Sequence, residues 1–209
     1  MLFRSFLADL VEAEVPVVPT LPLHGNNTLA QVPGTKIWFC MFKRVGGRVP
    51  DEMNPEQLAI VGRLLARMHL CGEKNKADHR QRIDQVTYGE NHLKYLLDSK
   101  TIPIDLSGRY QRAAEAIFVH AAPLFAKATY QRIHGDCHLG NLLWSDQGPF
   151  WVDFDDMLMG PVVQDIWLLT PGRDEYSLKN RQTLIEAYST FRKFDSAELA
   201  LIEPLRALR

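Results

Sequence analysis

The sequence predicts an α+β protein with a small β-containing N-terminal part and a larger helical C-terminal part. Three observations support this fold class. Short apolar runs separated by Gly, Asn and Pro turns occupy positions 21–42, a pattern typical of strands. Beyond position 54, apolar residues recur at the three- and four-residue spacing of helices. Within the helical part, a dense turn cluster at 145–149 separates two short apolar runs, which predicts a β-hairpin.

The first elements follow from local signals. Apolar residues between Leu2 and Val11 recur at helical spacing and predict an amphipathic helix. The helix should end before Pro16, because proline disfavours helical backbone at the residue ahead of it. Candidate strands follow at 21–23, 28–32 and 37–42. We interpret Val45-Gly46-Gly47 as a hinge, which divides the chain into a partial N-terminal lobe at 1–44 and a helical lobe at 45–209.

The second part of the chain is mainly helical. Pro55 suits a first turn, and the apolar residues that follow it as far as Met68 lie on one face. Asp195 or Ser196 can cap the last helix, which we expect to run through Pro204 with a kink. Further helices are expected at 90–97, 106–125, 162–169 and 176–191.

Composition limits the function. The chain has 209 residues, 46% apolar content and a formal net charge of -1, as in ordinary globular proteins. This near-neutral balance argues against a nucleic-acid partner, and no apolar run is long enough to cross a membrane. Cys40, Cys71 and Cys137 are odd in number and scattered, which suggests free thiols in a reducing compartment. We therefore expect a cytoplasmic protein that is a monomer when full length.

The chemistry is concentrated between His134 and Asp156. Asp136 and Asn141 lie on one short loop, and the predicted hairpin would return Asp153 close to Asn141. An amide oxygen and a carboxylate are hard ligands that suit Mg2+, which accepts few protein ligands and shares phosphate oxygens. Asp136 is not needed for the metal and is free to contact a substrate hydroxyl. Phosphoryl transfer needs this combination of one residue for the nucleophile and two for the metal.

These residues also resemble a known family. The order His134-Gly135-Asp136, four residues, Asn141, and then Asp153 on a strand is similar to the aminoglycoside phosphotransferase and choline kinase family, which is related to protein kinases. Further stretches resemble a branch of bacterial serine/threonine kinases that act in stress response; they lie at 45–48, 62–69, 134–138, 152–156, 160–167 and 202–206.

The resemblance implies a protein-kinase-like fold that uses ATP and Mg2+ as cofactors and transfers the γ-phosphate to a hydroxyl of a protein or small molecule. It implies that Asp136 and Asp153 are catalytic and that Asn141 and Asp153 bind the metal. Asp165 resembles a family residue that braces the catalytic loop through backbone N–H groups. The adenine-binding positions implied by the resemblance are Phe39, Met41, Phe42 and Leu143.

Some expected parts of a kinase are missing. No Gly-x-Gly-x-x-Gly phosphate loop is present. Lys36 is predicted on a strand that leads into the hinge, so it cannot serve as the lysine that pairs with the nucleotide phosphates. Leu2 and Phe3 occupy the helix that should carry the partner glutamate, and Arg209 falls in mid-helix. We therefore interpret the chain as a fragment without its phosphate loop and C-terminal helices. The acceptor could then be a protein or a small alcohol, or the fragment could be an inactive binding piece.

Several residues near the loop have ordinary structural alternatives. By strand alternation Asp155 shares a face with Asp153 and could assist the metal, although a solvated or Arg-paired acid is the simpler interpretation. His134, His138 and Cys137 could suggest zinc, but a structural zinc site needs four ligands and the sequence offers no second cluster. We expect packed histidines and a buried thiol.

Overall fold

The computed structural model describes residues 3–25 and 27–209, so the predictions that fall on Met1, Leu2 and Asn26 lie outside the described residues. The fold is α+β and mostly helical, as predicted. The helices are α1 (Phe3–Glu12), α2 (Pro55–Gly72), α3 (Asn91–Asp98), α4 (Ile104–Lys127), α5 (Val163–Leu169), α6 (Glu175–Tyr188) and α7 (Ile202–Leu208).

The strands form three antiparallel pairs in the described part of the chain. They are β1 (Ala30–Gln31) with β2 (Trp38–Phe39), β3 (Gln131–Ile133) with β6 (Leu158–Gly160), and β4 (Leu142–Ser145) with β5 (Gly148–Trp151). The predicted hairpin is confirmed, and its register places Leu142 opposite Trp151. The pairing of β3 with β6 was not predicted, because each strand has only three residues and shows no alternation.

The N-terminal strands are shorter than predicted. Segment 21–23 forms no strand, and only two-residue pieces of 28–32 and 37–42 pair regularly. Lys36 lies in the bend between β1 and β2, so its assignment to a strand was wrong. The Pro33-Gly34 turn accounts for this, since Gly34 has φ +73 and the chain reverses at once.

Helix ends follow the capping rules. Asn54 and Gln57 form a reciprocal capping box at the start of α2, with Pro55 in the first turn. Asp195 accepts a hydrogen bond from the backbone N–H of Ala197, as predicted, but it caps a 3-10 segment, Ser196–Leu201. The expectation of one kinked helix was wrong: α7 begins anew at Ile202, so Pro204 lies in its first turn, where the missing N–H costs nothing.

Packing in the core fixes the helices and strands that support the loop around Asp136. Helices α2 and α6 pack closely, because Gly62 leaves the space that the Leu184 carbonyl oxygen occupies. The side chain of Arg132, on β3, is buried and binds Asp9 of α1 at 2.7 Å, which joins the first helix to the strand that enters the loop. Trp151, the last residue of hairpin strand β5, has a fully buried side chain.

The predicted hinge is attached to the hairpin. The backbone of Arg48 exchanges two hydrogen bonds with Trp144 of β4, at 2.9 and 2.8 Å. A Cβ on Gly47 would overlap Leu143. On the opposite edge, the backbone N–H of Trp151 donates to the Pro16 carbonyl oxygen, so the segment at Arg48 flanks β4 and the segment at Pro16 flanks β5.

A π-helical turn, Gln85–Glu90, precedes α3 and was not predicted. Asp84 caps it by accepting from the backbone N–H groups of Val86 and Thr87. Such turns often occur at functional sites. No helix within residues 3–25 and 27–209 is both long and apolar enough to cross a membrane.

Candidate active site

Asp165 on α5 fixes the backbone of the loop that carries Asp136. The fully buried carboxylate accepts hydrogen bonds from the backbone N–H groups of His134 and Gly135, both at 2.9 Å. This confirms the predicted bracing of the loop. Gly135 has φ +86, a conformation that L side chains rarely adopt, and its Cα lies against the Asp156 backbone. The turn into Asp136 therefore requires glycine.

Behind Asp165 lies a buried polar chain. His69 Nε2 is 3.1 Å from Asp165 Oδ2, and His69 Nδ1 is 3.0 Å from the Tyr188 hydroxyl. Arg192 in turn donates to Tyr188 at 2.8 Å. Burial lowers the pKa of His69, against the opposing effect of the hydrogen bond to Asp165. Both ring nitrogens of His69 and the Tyr188 hydroxyl therefore have partners, as buried polar groups require.

Asp136 lies at the surface end of the loop and is held by three side chains. Asn141 Nδ2 donates to the Asp136 carbonyl at 2.9 Å and to its Oδ2 at 3.2 Å. His138 Nε2 lies 3.3 Å from the same Oδ2, and Arg209 pairs with Oδ1. Burial alone would raise the pKa of Asp136, but the hydrogen bond and charge of Arg209, with the two neighbouring histidines, lower it. The carboxylate is thus kept ionised in a fixed orientation.

The hairpin brings Asn141 and Asp153 to neighbouring positions in the backbone. The N–H of Val152 donates to the Asn141 carbonyl at 3.1 Å, and Asp153 follows directly. Because the Asn141 amide nitrogen faces Asp136, its amide oxygen is the atom that could bind a cation. Asp153 has φ +59. Positive φ is uncommon for residues other than glycine, and residues that adopt it often lie at functional sites.

The strand alternation expected for Asp155 is wrong, since β5 ends at Trp151 and the left-handed Asp153 breaks the pattern. The two carboxylates nevertheless line one cavity of about 280 Å³. Burial raises the pKa of Asp155, and the nearby charge of Asp153 raises it further. A bound cation would relieve this repulsion.

The same cavity includes one predicted adenine-binding residue. Phe42 lines it together with Val45, Val152 and Lys43. Phe39 and Met41 are exposed and do not line it, and Leu143 packs beside Gly47. The structure therefore brings Phe42 next to Asp153 and leaves the other three predicted residues outside this cavity.

The donor set fits Mg2+ better than zinc. Within residues 3–25 and 27–209, no group of three or more His, Cys, Asp or Glu is placed to hold a metal. Cys137 is fully buried and burial raises its pKa well above the usual value, as expected for an inert thiol. An amide oxygen and a carboxylate, by contrast, are enough for a Mg2+ ion that keeps phosphate and water ligands.

Sequence reasoning missed three residues around the site. Arg80 donates to the backbone carbonyl groups of Asp155 and Met157, which fixes the segment after Asp153. Arg209 contacts Asp136, and Tyr88 lines three cavities near the loop. The basic stretch around Arg80 was a visible but unspecific signal. The other two contacts depend on packing, and no local motif marks them.

Comparison with known sequences gives the family. The model of the phosphotransferase enzyme family matches residues 2–202. The chain belongs to this family. Stress response kinase A of Escherichia coli (strain K12) is 40% identical over 207 residues, covering 99% of this chain and 62% of the relative. A protein of Salmonella typhimurium named serine/threonine protein kinase RdoA is 37% identical over 208 residues, with the same coverage. The chain therefore spans 62% of the length of these curated relatives.

Solved structures agree on the fold. An amicoumacin kinase in complex with AMP-PNP, Ca2+ and Ami superposes with a TM-score of 0.78 at 20% identity, covering 99% of this chain and 66% of that one. A spectinomycin phosphotransferase bound to ADP and spectinomycin gives 0.68 at 13% identity, covering 98% and 68%. The family's protein-kinase-like fold, of the aminoglycoside phosphotransferase type, is thus the fold of this chain.

Proposed function

We propose that this chain carries the catalytic centre of an ATP- and Mg2+-dependent kinase that transfers the γ-phosphate to a hydroxyl acceptor. The observation that carries the proposal is the constrained loop: Asp165 fixes its backbone, Asn141 holds Asp136, and the hairpin returns Asp153 beside Asn141. Membership of the phosphotransferase family supports the reaction class.

In this proposal Asp136 orients the acceptor hydroxyl and takes its proton late in the transfer. The O–H bond breaks, the oxygen bonds to the γ-phosphorus, and ADP leaves. Asn141 and Asp153 would hold Mg2+, which supplies charge neutralisation for the phosphate oxygens. Since Arg209 and Asn141 already fix both carboxylate oxygens of Asp136, little reorientation is needed when the acceptor arrives.

The acceptor in this proposal is a serine or threonine of a protein, in a cytoplasmic stress response. The names of the relatives from Escherichia coli and Salmonella support this choice. A small alcohol is the second candidate. It is favoured by the structural neighbours, which are an amicoumacin kinase and a spectinomycin phosphotransferase with spectinomycin bound.

Two measurements test the proposal. Calorimetry with ATP and Mg2+ should show binding to the wild-type chain, and Asp153→Asn should weaken it. Phosphate transfer from labelled ATP to Ser/Thr proteins and to small alcohols should fall about 100-fold or more in Asp136→Ala. Asp146→Asn is the matched control, because Asp146 is exposed in the hairpin turn. No ATP binding would favour an inactive binding piece, and full activity of Asp136→Ala would reject its role.

A further inference from the structure

The ring of His138 is a part of the catalytic loop to which neither the family match nor the proposed chemistry gives a role. His138 precedes a short 3-10 turn, Leu139–Asn141, and its side chain caps this turn. The backbone N–H of Gly140 donates to His138 Nδ1 at 2.9 Å. The other ring nitrogen, Nε2, lies 3.3 Å from Asp136 Oδ2. The ring therefore joins the turn to the residue that we propose as the base.

The contact with Gly140 decides which ring nitrogen carries the proton. A backbone N–H can only donate, so Nδ1 of His138 must present its lone pair to it. In a neutral imidazole the proton is then on Nε2, which faces Asp136 as a hydrogen-bond donor. The loop backbone thus selects the tautomer that can donate to the carboxylate.

Gly140 provides the space for this ring. A Cβ at position 140 would lie 2.7 Å from His138 Cε1 and 2.9 Å from Nδ1, closer than real Cβ atoms approach other atoms. Gly140 does not have a positive φ, so the backbone conformation alone does not require glycine here. A side chain at position 140 would instead displace the ring of His138 from its place beside Asp136.

The hydrogen bonds around Asp136 leave one of its two oxygens with room for a further donor. Each carboxylate oxygen accepts about two hydrogen bonds. Oδ2 faces two donors, Asn141 Nδ2 at 3.2 Å and His138 Nε2 at 3.3 Å. Among residues 3–25 and 27–209, Oδ1 has a single partner, Arg209. An acceptor hydroxyl can therefore donate to Oδ1, whereas the lone pairs of Oδ2 are already in use.

We propose that His138 is a positioning residue: as a neutral donor it occupies Oδ2 together with Asn141, so that Oδ1 is the atom that receives the proton of the acceptor hydroxyl. The proposal rests on the proposed kinase function, because it assigns an orientation to the base of that reaction. The acceptor O–H bond breaks, its oxygen bonds to the γ-phosphorus, and ADP leaves. The proton passes to Oδ1 and later to water. A carboxylate that rotated freely would lose this alignment.

Two substitutions of His138 separate this role from simple capping of the turn. In His138→Asn the side-chain oxygen replaces Nδ1, so the bond from Gly140 is kept and the donor to Asp136 is lost. In His138→Gln the amide nitrogen reaches the position of Nε2, so the donor is kept and the cap is lost. We expect kcat to fall about tenfold or more in His138→Asn, as for the loss of one hydrogen bond to a charged group, and His138→Gln to recover most of it. The KM for ATP should stay unchanged in both, because His138 does not line the cavity beside Asp153.

NMR tests the same contact without catalysis. At about pH 8, above the usual titration range of histidine, the ring nitrogen signals of His138 should report the Nε2–H tautomer. The carbon signal of the Asp136 carboxyl group should move in His138→Asn and stay near its wild-type position in His138→Gln. His120→Asn is the matched control at an exposed position of α4, and it should change neither kcat nor this carbon signal.

Three results would overturn the proposal. They are an Nδ1–H tautomer of His138, an Asp136 signal that is the same in His138→Asn as in the wild type, and phosphate transfer by His138→Asn that equals or exceeds that by His138→Gln. A wild-type chain that transferred no phosphate would refute the proposed function instead. The NMR comparison would then still decide whether His138 donates to Asp136.

Discussion

Replacing Asp165 by Asn tests whether a single buried carboxylate holds the catalytic loop. In the wild type, Oδ1 accepts from Gly135 N at 2.9 Å, and Oδ2 accepts from His134 N at 2.9 Å with His69 Nε2 at 3.1 Å. The amide of Asn has one acceptor oxygen, so at least one backbone N–H loses its partner and meets an N–H2 group instead. Asp165 is fully buried, so water cannot substitute.

The magnitude follows from this geometry. A buried donor without a partner costs about 1–3 kcal/mol, and a hydrogen bond to a charged group contributes about 1.5–3 kcal/mol. We expect a total loss of about 3 kcal/mol in the free energy of unfolding, which lowers the Tm by roughly 6–12 °C in a chain of this size. If the opening is local, the His134 and Gly135 amide protons should exchange about 100-fold faster, since each tenfold change corresponds to 1.4 kcal/mol.

Thermal unfolding by circular dichroism and amide exchange by NMR measure the two effects. Asp146→Asn makes the same chemical change at an exposed position, and we expect its unfolding free energy to stay within about 0.5 kcal/mol of the wild type. The reasoning would be refuted if Asp165→Asn unfolded at the same temperature as this control and retained slow exchange at both amides.

Two further predictions concern stability. Burial keeps His69 neutral in the folded chain and lowers its pKa below 6.5, so the unfolded chain binds the extra proton first and acid favours unfolding. Between pH 6.5 and 5.0 the free energy of unfolding, measured in urea, should fall more steeply in the wild type than in His69→Gln; equal slopes would contradict this. Gly62→Ala should destabilise the chain by about 1–3 kcal/mol, because the new methyl group meets the Leu184 carbonyl oxygen. Gly108→Ala on α4, where the nearest atom is a flexible arginine tip, should instead stabilise it by up to about 1 kcal/mol, and the same result for both would refute the packing argument.

The local features of this protein can be predicted from short stretches of its amino-acid sequence. Turn residues at 145–149 predicted the hairpin, and helical spacing with Pro55 predicted α2. The order of Asp136, Asn141 and Asp153 was sufficient to identify the family, because loop chemistry is set by residues that are close in sequence. These signals are short-range periodicity and turn preference, which a segment has whatever its tertiary contacts are.

The surroundings of these residues come from contacts between segments that are distant in the sequence. Asp165 lies 31 positions from His134, and Arg209 lies 73 positions from Asp136. The cavity between Tyr88 and Arg209 arises from packing of the π-helical turn against α4 and α7. The left-handed Asp153 likewise broke a strand pattern that looked regular. Such contacts depend on how helices pack and where the chain bends, and no periodicity in a single segment encodes them.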